Sequence, residues 1–143
     1  MNTNKKNIST PIKSIMIAPC GMNCSICAAH LREKKKCLGC RGDDKNKPIG
    51  CLNCKIKNCD ELAKNKPKFC YMCKNFPCTR LKQLDKRYRT KYGMSMLSNL
   101  ESIKELGIRA FVRNEKGRWR CSNCQGTICV HRDVCIHCGQ NRR

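Results

Sequence analysis

The chain has 143 residues, enough for one ordinary domain or two very small ones. It carries 31 lysines and arginines against 10 acidic residues, a formal charge of +21. If fifteen cysteine thiolates held four zinc ions, this charge would fall by seven to about +14, which still favours an anionic partner. Sixteen cysteines and only seven aromatic residues indicate a thin core that needs disulfides or metal ions for stability.

The N-terminal sequence argues against disulfides. Pro11 and Lys13 interrupt its apolar stretch, so it lacks the continuous hydrophobic region of a secretory signal peptide. We therefore expect a cytoplasmic protein with reduced thiols and no membrane segment. In that compartment, paired C-x-x-C motifs indicate metal sites.

The first cysteine motif has C-x-x-x-C-x-x-C spacing and comprises Cys20, Cys24 and Cys27. Radical SAM enzymes hold a 4Fe-4S cluster with this spacing, but the chain is too short for their barrel. His30 completes an alternative, a closed Cys3His zinc site, unless it is an ordinary surface histidine. The sequence leaves open both the zinc site and an iron–sulfur cluster.

Further cysteines continue this pattern to residue 78. Two C-x-x-C pairs separated by ten residues have the spacing of zinc knuckles, and four later cysteines form another candidate site. Together with the first motif they supply twelve ligands, enough for three tetrahedral sites, although their pairing is not fixed by sequence. The additional candidates are Cys37, Cys40, Cys51, Cys54, Cys59, Cys70, Cys73 and Cys78.

A second cysteine cluster lies near the C-terminus. The pairs Cys121/Cys124 and Cys135/Cys138 have the same ten-residue separation and predict a zinc ribbon. With the three N-terminal sites, the expected total is about four zinc ions. The remaining candidates near this cluster are Cys129, His131 and His137, for which we favour structural packing over metal binding.

Between the cysteine clusters, hydrophobic periodicity predicts a helical hairpin. One helix spans residues 79–92, and a second begins near Ser95 and ends before Gly107. A shorter helix is predicted at residues 60–66. Alternating apolar residues over 108–113 and a turn at 114–117 predict a β-hairpin that returns through 118–120 into the ribbon.

These elements predict a small metal-stabilised α+β fold. Its parts are a flexible basic tail, an irregular cysteine-rich zinc-knuckle region, a helical hairpin and a C-terminal β-hairpin zinc ribbon. They span residues 1–18, 19–78, 79–107 and 108–143, respectively.

Several separate motifs resemble one family of cysteine-rich proteins, domain of unknown function 3795. They read PCGMNCSIC at 19–27, CLGCRG at 37–42, CYMC at 70–73, FPC at 76–78 and RYRTKYGMS at 87–95. The resemblance implies a small, zinc-binding prokaryotic protein. It implies no activity, because none is assigned to that family.

The excess of basic over acidic residues favours a non-enzymatic zinc module that binds RNA or DNA. Its predicted contacts are Lys82, Lys86 and Arg89 on one helical face and Arg118, Trp119 and Arg120 beside the ribbon. The alternatives are an iron–sulfur or redox protein using the first cysteine motif and a zinc-stapled protein-interaction module. A catalytic zinc centre is disfavoured because no H-E-x-x-H motif or H-x-E with P-C-x-x-C motif is present.

Overall fold

The structure is a computed structural model that describes residues 11–56, 58–60 and 68–142. The first ten residues of the predicted tail and most of the predicted helix at 60–66 lie outside the described residues. Residues 11–18 are not the flexible tail that the sequence predicts. They contain a 3-10 turn, Ser14–Met16, and bury Ile12, Met16 and Ile17 in the core.

In the described part of the cysteine-rich region, two short helices and two further 3-10 turns are formed. Helix α1 spans Ala28–Leu31 and α2 spans Ile49–Leu52, while the turns lie at Cys24–Ile26 and Cys70–Met72. Most of the described residues of this region are therefore in loops, and turns rather than regular secondary structure place its cysteines.

The predicted helical hairpin is confirmed. Helix α3 spans Thr79–Lys91, and α4 spans Met96–Leu106 with Ser95 as its N-cap, whose side chain accepts a hydrogen bond from the Ser98 amide at 3.0 Å. Buried Asp85 of α3 also accepts from the Ser95 hydroxyl at 2.5 Å and the Leu97 amide at 3.1 Å. These bonds fix the turn between the two helices.

The β-hairpin predicted at residues 108–120 is wrong. Residues Ile108–Arg118 form helix α5, which follows α4 directly after Gly107. Side chains at intervals of four residues are buried in and just after this helix: Phe111, Glu115 and Trp119. This helical periodicity of burial determines the structure here, rather than the alternation of apolar residues over 108–113. In the described ranges the only β-type pairing consists of isolated antiparallel bridges, and no strand is formed.

One hydrophobic core joins the N-terminal region, the helices and the ribbon. Its fully buried members include Ile17, Ile26, Leu81, Leu100 and Val130. The cysteine-rich loops thus rest on the helical hairpin. Among the described helices, none is both long and apolar enough to cross a membrane.

Gly21 shows how closely these parts approach. Its φ is +93°, and a Cβ atom at this position would lie 2.8 Å from the carbonyl oxygen of Met96. The Gly21 carbonyl in turn accepts a hydrogen bond from buried Asn99 of α4 at 3.0 Å. Only glycine fits here without displacing the start of α4.

Candidate metal centre

The four sulfurs of the C-terminal cluster converge on one point. Cys121, Cys124, Cys135 and Cys138 place their Sγ atoms within 4.8 Å of one another. The Sγ atoms are 3.6 Å apart for Cys121 and Cys138 and 3.7 Å apart for Cys124 and Cys135. A tetrahedral zinc ion with Zn–S bonds of about 2.3 Å requires sulfurs about 3.8 Å apart. The geometry therefore fits a four-cysteine metal site.

Backbone hydrogen bonds build the first knuckle of this cluster. The Cys121 amide donates to the Gly126 carbonyl at 2.8 Å, and the Gln125 amide donates back to the Cys121 carbonyl at 2.9 Å. Gln125 has a φ of +66°, which turns the chain so that the Gly126 amide reaches the Cys124 sulfur at 3.4 Å. Amide donors of this kind stabilise a thiolate ligand.

The second knuckle repeats the two backbone hydrogen bonds of the first. The Cys135 amide donates to the Gln140 carbonyl at 2.8 Å, and the Gly139 amide donates to the Cys135 carbonyl at 2.9 Å. Gly139 takes the positive φ, and the His137 amide lies 3.4 Å from the Cys135 sulfur. The two C-x-x-C turns are therefore matching halves of one site, although without the predicted β-hairpin.

The eleven N-terminal cysteines surround two separate cavities. A cavity of about 440 Å³, the four-cysteine cavity, is lined by the four residues that the sequence groups together: Cys59, Cys70, Cys73 and Cys78. A second cavity of about 380 Å³, the seven-cysteine cavity, is lined by the other seven: Cys20, Cys24, Cys27, Cys37, Cys40, Cys51 and Cys54.

His30 also lines the seven-cysteine cavity. Its Nδ1 atom lies 2.7 Å from the carbonyl oxygen of Cys37. Since a carbonyl only accepts, Nδ1 carries the proton and Nε2 keeps a free lone pair. This is the tautomer in which histidine ligates a metal, so His30 has the chemistry of a fourth ligand beside cysteines.

The N-terminal ligands are more widely spaced than those of the C-terminal cluster. All eleven cysteines and His30 lie in the described ranges, yet no three of their ligand atoms are all within 4.8 Å of one another. The structure thus divides the eleven cysteines between two cavities, and it brings no three of these ligand atoms together as closely as in the C-terminal cluster.

A family comparison matches this part of the chain. The model of the family described as Protein of unknown function (DUF3795) matches residues 16–83, which include all eleven N-terminal cysteines. Over residues 16–83 this match confirms the family resemblance that the sequence motifs indicate. No curated protein and no solved structure matches the chain.

Burial raises the pKa of several thiols in this segment. It raises the pKa of Cys20 strongly and that of Cys24 to about 12, while amide hydrogen bonds from Met22 and Cys40 act in the opposite direction. Burial, with a smaller contribution from the neighbouring Cys59 thiol, raises the pKa of Cys70 to about 12. These thiols are protonated without metal, so a metal ion must displace their protons on binding.

Two cations of the DUF3795 segment lie beside these thiols and were not predicted as site residues. The side chain of Lys47 is fully buried in the wall of the seven-cysteine cavity. Its ammonium group donates to the carbonyls of Cys40 and Gly42 and to Asp44 at 2.6–3.1 Å. Arg41 donates to the Ile17 carbonyl at 2.8 Å; burial lowers the pKa of its guanidinium group, and nearby cysteines of both cavities act in the opposite direction. Nothing in their local sequence distinguishes them from the many surface lysines and arginines.

The C-terminal cluster docks onto the DUF3795 segment through the stretch between its two knuckles. The Val130 amide donates to the Ile26 carbonyl at 2.9 Å. His131 accepts from the Ala28 amide through Nδ1 at 3.2 Å, and its Nε2 lies 2.8 Å from the Tyr88 hydroxyl. Cys129 is 1% exposed. Cys129 and His131 therefore have the structural packing role that the sequence favours, while His137 is exposed.

The predicted nucleic-acid contacts divide into exposed and buried residues. Lys82, Lys86 and Arg89 are exposed on α3, and Arg118 and Arg120 are exposed near the first knuckle. Trp119 is 4% exposed and covered by the guanidinium groups of Arg118 and Arg142, so the expectation that it could stack on bases is wrong. None of the seven aromatic side chains, all of which are described, is exposed.

Proposed function

We propose that this protein is a zinc-stabilised, non-enzymatic module and that its C-terminal cluster holds one structural Zn²⁺. The observation that carries the proposal is the convergence of four sulfurs within 4.8 Å of one another, two pairs of which are 3.6 and 3.7 Å apart. Four cysteines fill the tetrahedral shell and leave no position for water or substrate, which is the arrangement of structural rather than catalytic zinc. Such free thiols persist in a reducing compartment, which supports a cytoplasmic location.

The N-terminal cysteines and His30 extend the same proposal to the two cavities. Their convergence on shared cavities supports metal ligation, and Lys47 and Arg41 offset the negative charge that clustered thiolates would create. We expect metal removal to destabilise the chain, because each structural zinc site contributes on the order of 10 kcal/mol of apparent folding free energy.

Elemental analysis tests the C-terminal site. The variant Cys124→Ser removes one ligand and should lower the zinc content by one ion per chain. Cys129→Ser is the matched control, because Cys129 is a buried cysteine between the two knuckles but outside the four-sulfur group. Equal zinc content in the wild type and Cys124→Ser, or equal loss in both variants, would contradict this assignment.

A second candidate function, binding of RNA or DNA through charge, is favoured by the surface of α3. This helix has exposed basic side chains at Arg80, Lys82, Lys86, Arg87, Arg89 and Lys91. Its one acidic residue, Asp85, is buried and ion-paired with Arg89 at 3.3 Å. Lys82, Lys86 and Arg89 recur at helical spacing and form one positive face. Because aromatic rings are not exposed, we expect phosphate contacts without base stacking and hence little sequence preference.

Titration of a fluorescent single strand and a duplex at several salt concentrations tests this candidate. Three phosphate contacts predict a slope of log K against log salt of roughly −2 for a single strand. Changing Lys82, Lys86 and Arg89 together to Glu should abolish binding at low salt. The matched control changes the equally exposed Lys104, Arg109 and Arg113 to Glu and alters the net charge identically. Equal weakening by both triple variants would refute the α3 surface, and no binding by the wild type would favour a protein-interaction module instead.

A further inference from the structure

The reactive atoms of the C-terminal cluster are its sulfurs. Four cysteine ligands fill the coordination shell of the proposed zinc ion, so the metal itself has no position left for a substrate. A thiolate remains a nucleophile, and the chemistry open to such a saturated site therefore takes place at sulfur. The four Sγ atoms lie within 4.8 Å of one another, so a sulfur that is oxidised has three others close by.

Two sulfur–sulfur contacts join the two knuckles in pairs. The Sγ atoms of Cys121 and Cys138 are 3.6 Å apart, and those of Cys124 and Cys135 are 3.7 Å apart. A disulfide bond is about 2.05 Å long, so each sulfur of a pair has to move by less than about 1 Å to form one. Each pair takes one cysteine from each knuckle and no cysteine is used twice. Both bonds can therefore form in the same molecule.

Exposure differs among the four thiols and sets the order in which an oxidant reaches them. Cys138 is exposed and Cys124 is half-buried, whereas Cys121 and Cys135 are buried. Each close pair thus combines one more accessible sulfur with one buried sulfur. An oxidant from solution meets Cys138 first, and Cys121 is placed to react with the product. Cys129, between the knuckles, is 1% exposed and lies outside the four-sulfur group.

We propose that the C-terminal cluster is a site of oxidative modification, at which hydrogen peroxide converts its four thiolates into the disulfides Cys121–Cys138 and Cys124–Cys135 and releases the zinc ion. The release of zinc rests on the proposed function, whereas the pairing of the cysteines rests on the sulfur distances alone. Disulfides in a reducing compartment are usually transient and redox-sensing. A reversible site of this kind suits the cytoplasmic location proposed above.

The reaction balances as two equal two-electron steps. The Cys138 thiolate attacks one oxygen of the peroxide, the O–O bond breaks, and a sulfenic acid and a hydroxide ion form. The Cys121 thiolate then attacks the sulfenic sulfur, the S–O bond breaks, and a second hydroxide ion leaves as the S–S bond forms. A second peroxide molecule reacts in the same way with Cys124 and Cys135. Four thiolates have then lost four electrons to two peroxides, the hydroxide ions have taken up protons to give water, and Zn²⁺ has lost its ligands.

The two disulfides would connect the same two knuckles that zinc connects. They link cysteines that are 17 and 11 positions apart and so close the stretch between the knuckles at both ends. This stretch contains Val130 and His131, whose hydrogen bonds to Ile26 and Ala28 dock the cluster onto the rest of the chain. The oxidised cluster therefore stays docked without zinc, and reduction restores a site that binds zinc again.

The test treats full-length, zinc-loaded protein with about two equivalents of hydrogen peroxide per chain, the amount that oxidises four thiolates. A chromophoric chelator follows zinc release. The remaining thiols are then alkylated, and tandem mass spectrometry of the digested protein identifies the disulfides. We expect loss of one zinc ion together with the disulfides Cys121–Cys138 and Cys124–Cys135, both reversed by dithiothreitol and zinc. Any other pairing of these four cysteines, or disulfides confined to the eleven N-terminal cysteines, would overturn the inference.

Cys129→Ser is the matched control, because it removes a buried cysteine of the same stretch without removing a sulfur of the cluster. It should release zinc at the wild-type rate and form the same two disulfides. Release slowed by about tenfold in Cys129→Ser would identify Cys129 as the oxidised thiol and overturn the inference. The two proposals fail separately. A cluster without zinc that still forms these disulfides contradicts the proposed function alone, and zinc that leaves without these disulfides contradicts the inference alone.

Discussion

His131 provides a sharp test of how the C-terminal cluster is joined to the rest of the protein. Its Nδ1 accepts from the Ala28 amide at 3.2 Å, which places the proton of the neutral ring on Nε2. Nε2 then donates to the Tyr88 hydroxyl at 2.8 Å. The ring also packs edge-on against Tyr88 and Tyr92 at centroid distances of 5.6 and 4.9 Å. We predict that His131→Ala loosens this junction.

The magnitude follows from these contacts. Two hydrogen bonds contribute about 1 kcal/mol each, and the aromatic contacts add about 1 kcal/mol more. His131→Ala should therefore lower the free energy of unfolding by about 3 kcal/mol. The matched control is His137→Ala, the same substitution at an exposed site in the second knuckle, which should change stability by less than about 0.5 kcal/mol.

Urea unfolding of zinc-loaded protein measures the effect. The single tryptophan, Trp119, is buried beside the first knuckle and reports unfolding by fluorescence. Indistinguishable unfolding free energies for His131→Ala and His137→Ala would refute the reasoning.

The His131 contribution should also depend on pH. Burial lowers the pKa of His131, and the positive charges of Arg132 and Arg142 lower it further. A base with a lowered folded-state pKa stabilises the fold above its unfolded pKa of about 6.5, and this stability is lost as the pH falls through the folded value. The difference in the free energy of unfolding between wild type and His131→Ala should therefore decrease as the pH falls below about 6.5.

Three further predictions concern other parts of the fold. Gly21→Ala should lower the free energy of unfolding by more than Gly93→Ala, which costs about 1 kcal/mol. Both glycines have positive φ, but of the two only Gly21 lacks room for a Cβ atom. Equal unfolding free energies of the two variants would contradict the close approach of Gly21 to Met96. Glu115→Gln should raise stability by up to about 1 kcal/mol near neutral pH, because burial raises the pKa of Glu115 and makes its ionised form costly in the fold. This gain in stability should shrink as the pH falls through the pKa of Glu115 in the folded protein. Urea titrations in which Glu115→Gln lowers the free energy of unfolding at neutral pH would contradict the prediction. The zinc affinity of the C-terminal cluster should fall by roughly tenfold or more per pH unit on acidification, because zinc displaces thiol protons when it binds. Competition with a chromophoric chelator measures this affinity. An affinity that does not change with pH would indicate that the thiolates are already formed without metal.

Sequence patterns predicted the features that depend on local chemistry. The C-x-x-C turns at Cys121 and Cys135 converge because a ten-residue connection returns the chain to the same point. Helices α3 and α4 follow from sustained apolar periodicity bounded by Ser95 and Gly107. These signals are contained within short segments, so no knowledge of the tertiary fold was needed.

The sequence predictions were wrong or incomplete for residues whose structure depends on tertiary packing. Alternation over residues 108–113 favoured a strand, but burial of Phe111, Glu115 and Trp119 against the core requires a helix. The division of eleven N-terminal cysteines into two cavities depends on how loops of different regions meet. Lys47 looks like any other lysine in sequence, and only its burial distinguishes it.

The docking of residues 129–131 onto residues 26–28 constrains the order in which this protein can be completed. The hydrogen bond between Ala28 and His131 spans 103 positions of the chain. A ribosome synthesises the N-terminal cysteines long before it releases the stretch that covers Ile26 and Ala28. The edge of the seven-cysteine cavity formed by α1 and Tyr88 therefore lacks this cover until residues 129–131 have been synthesised and can pack against it.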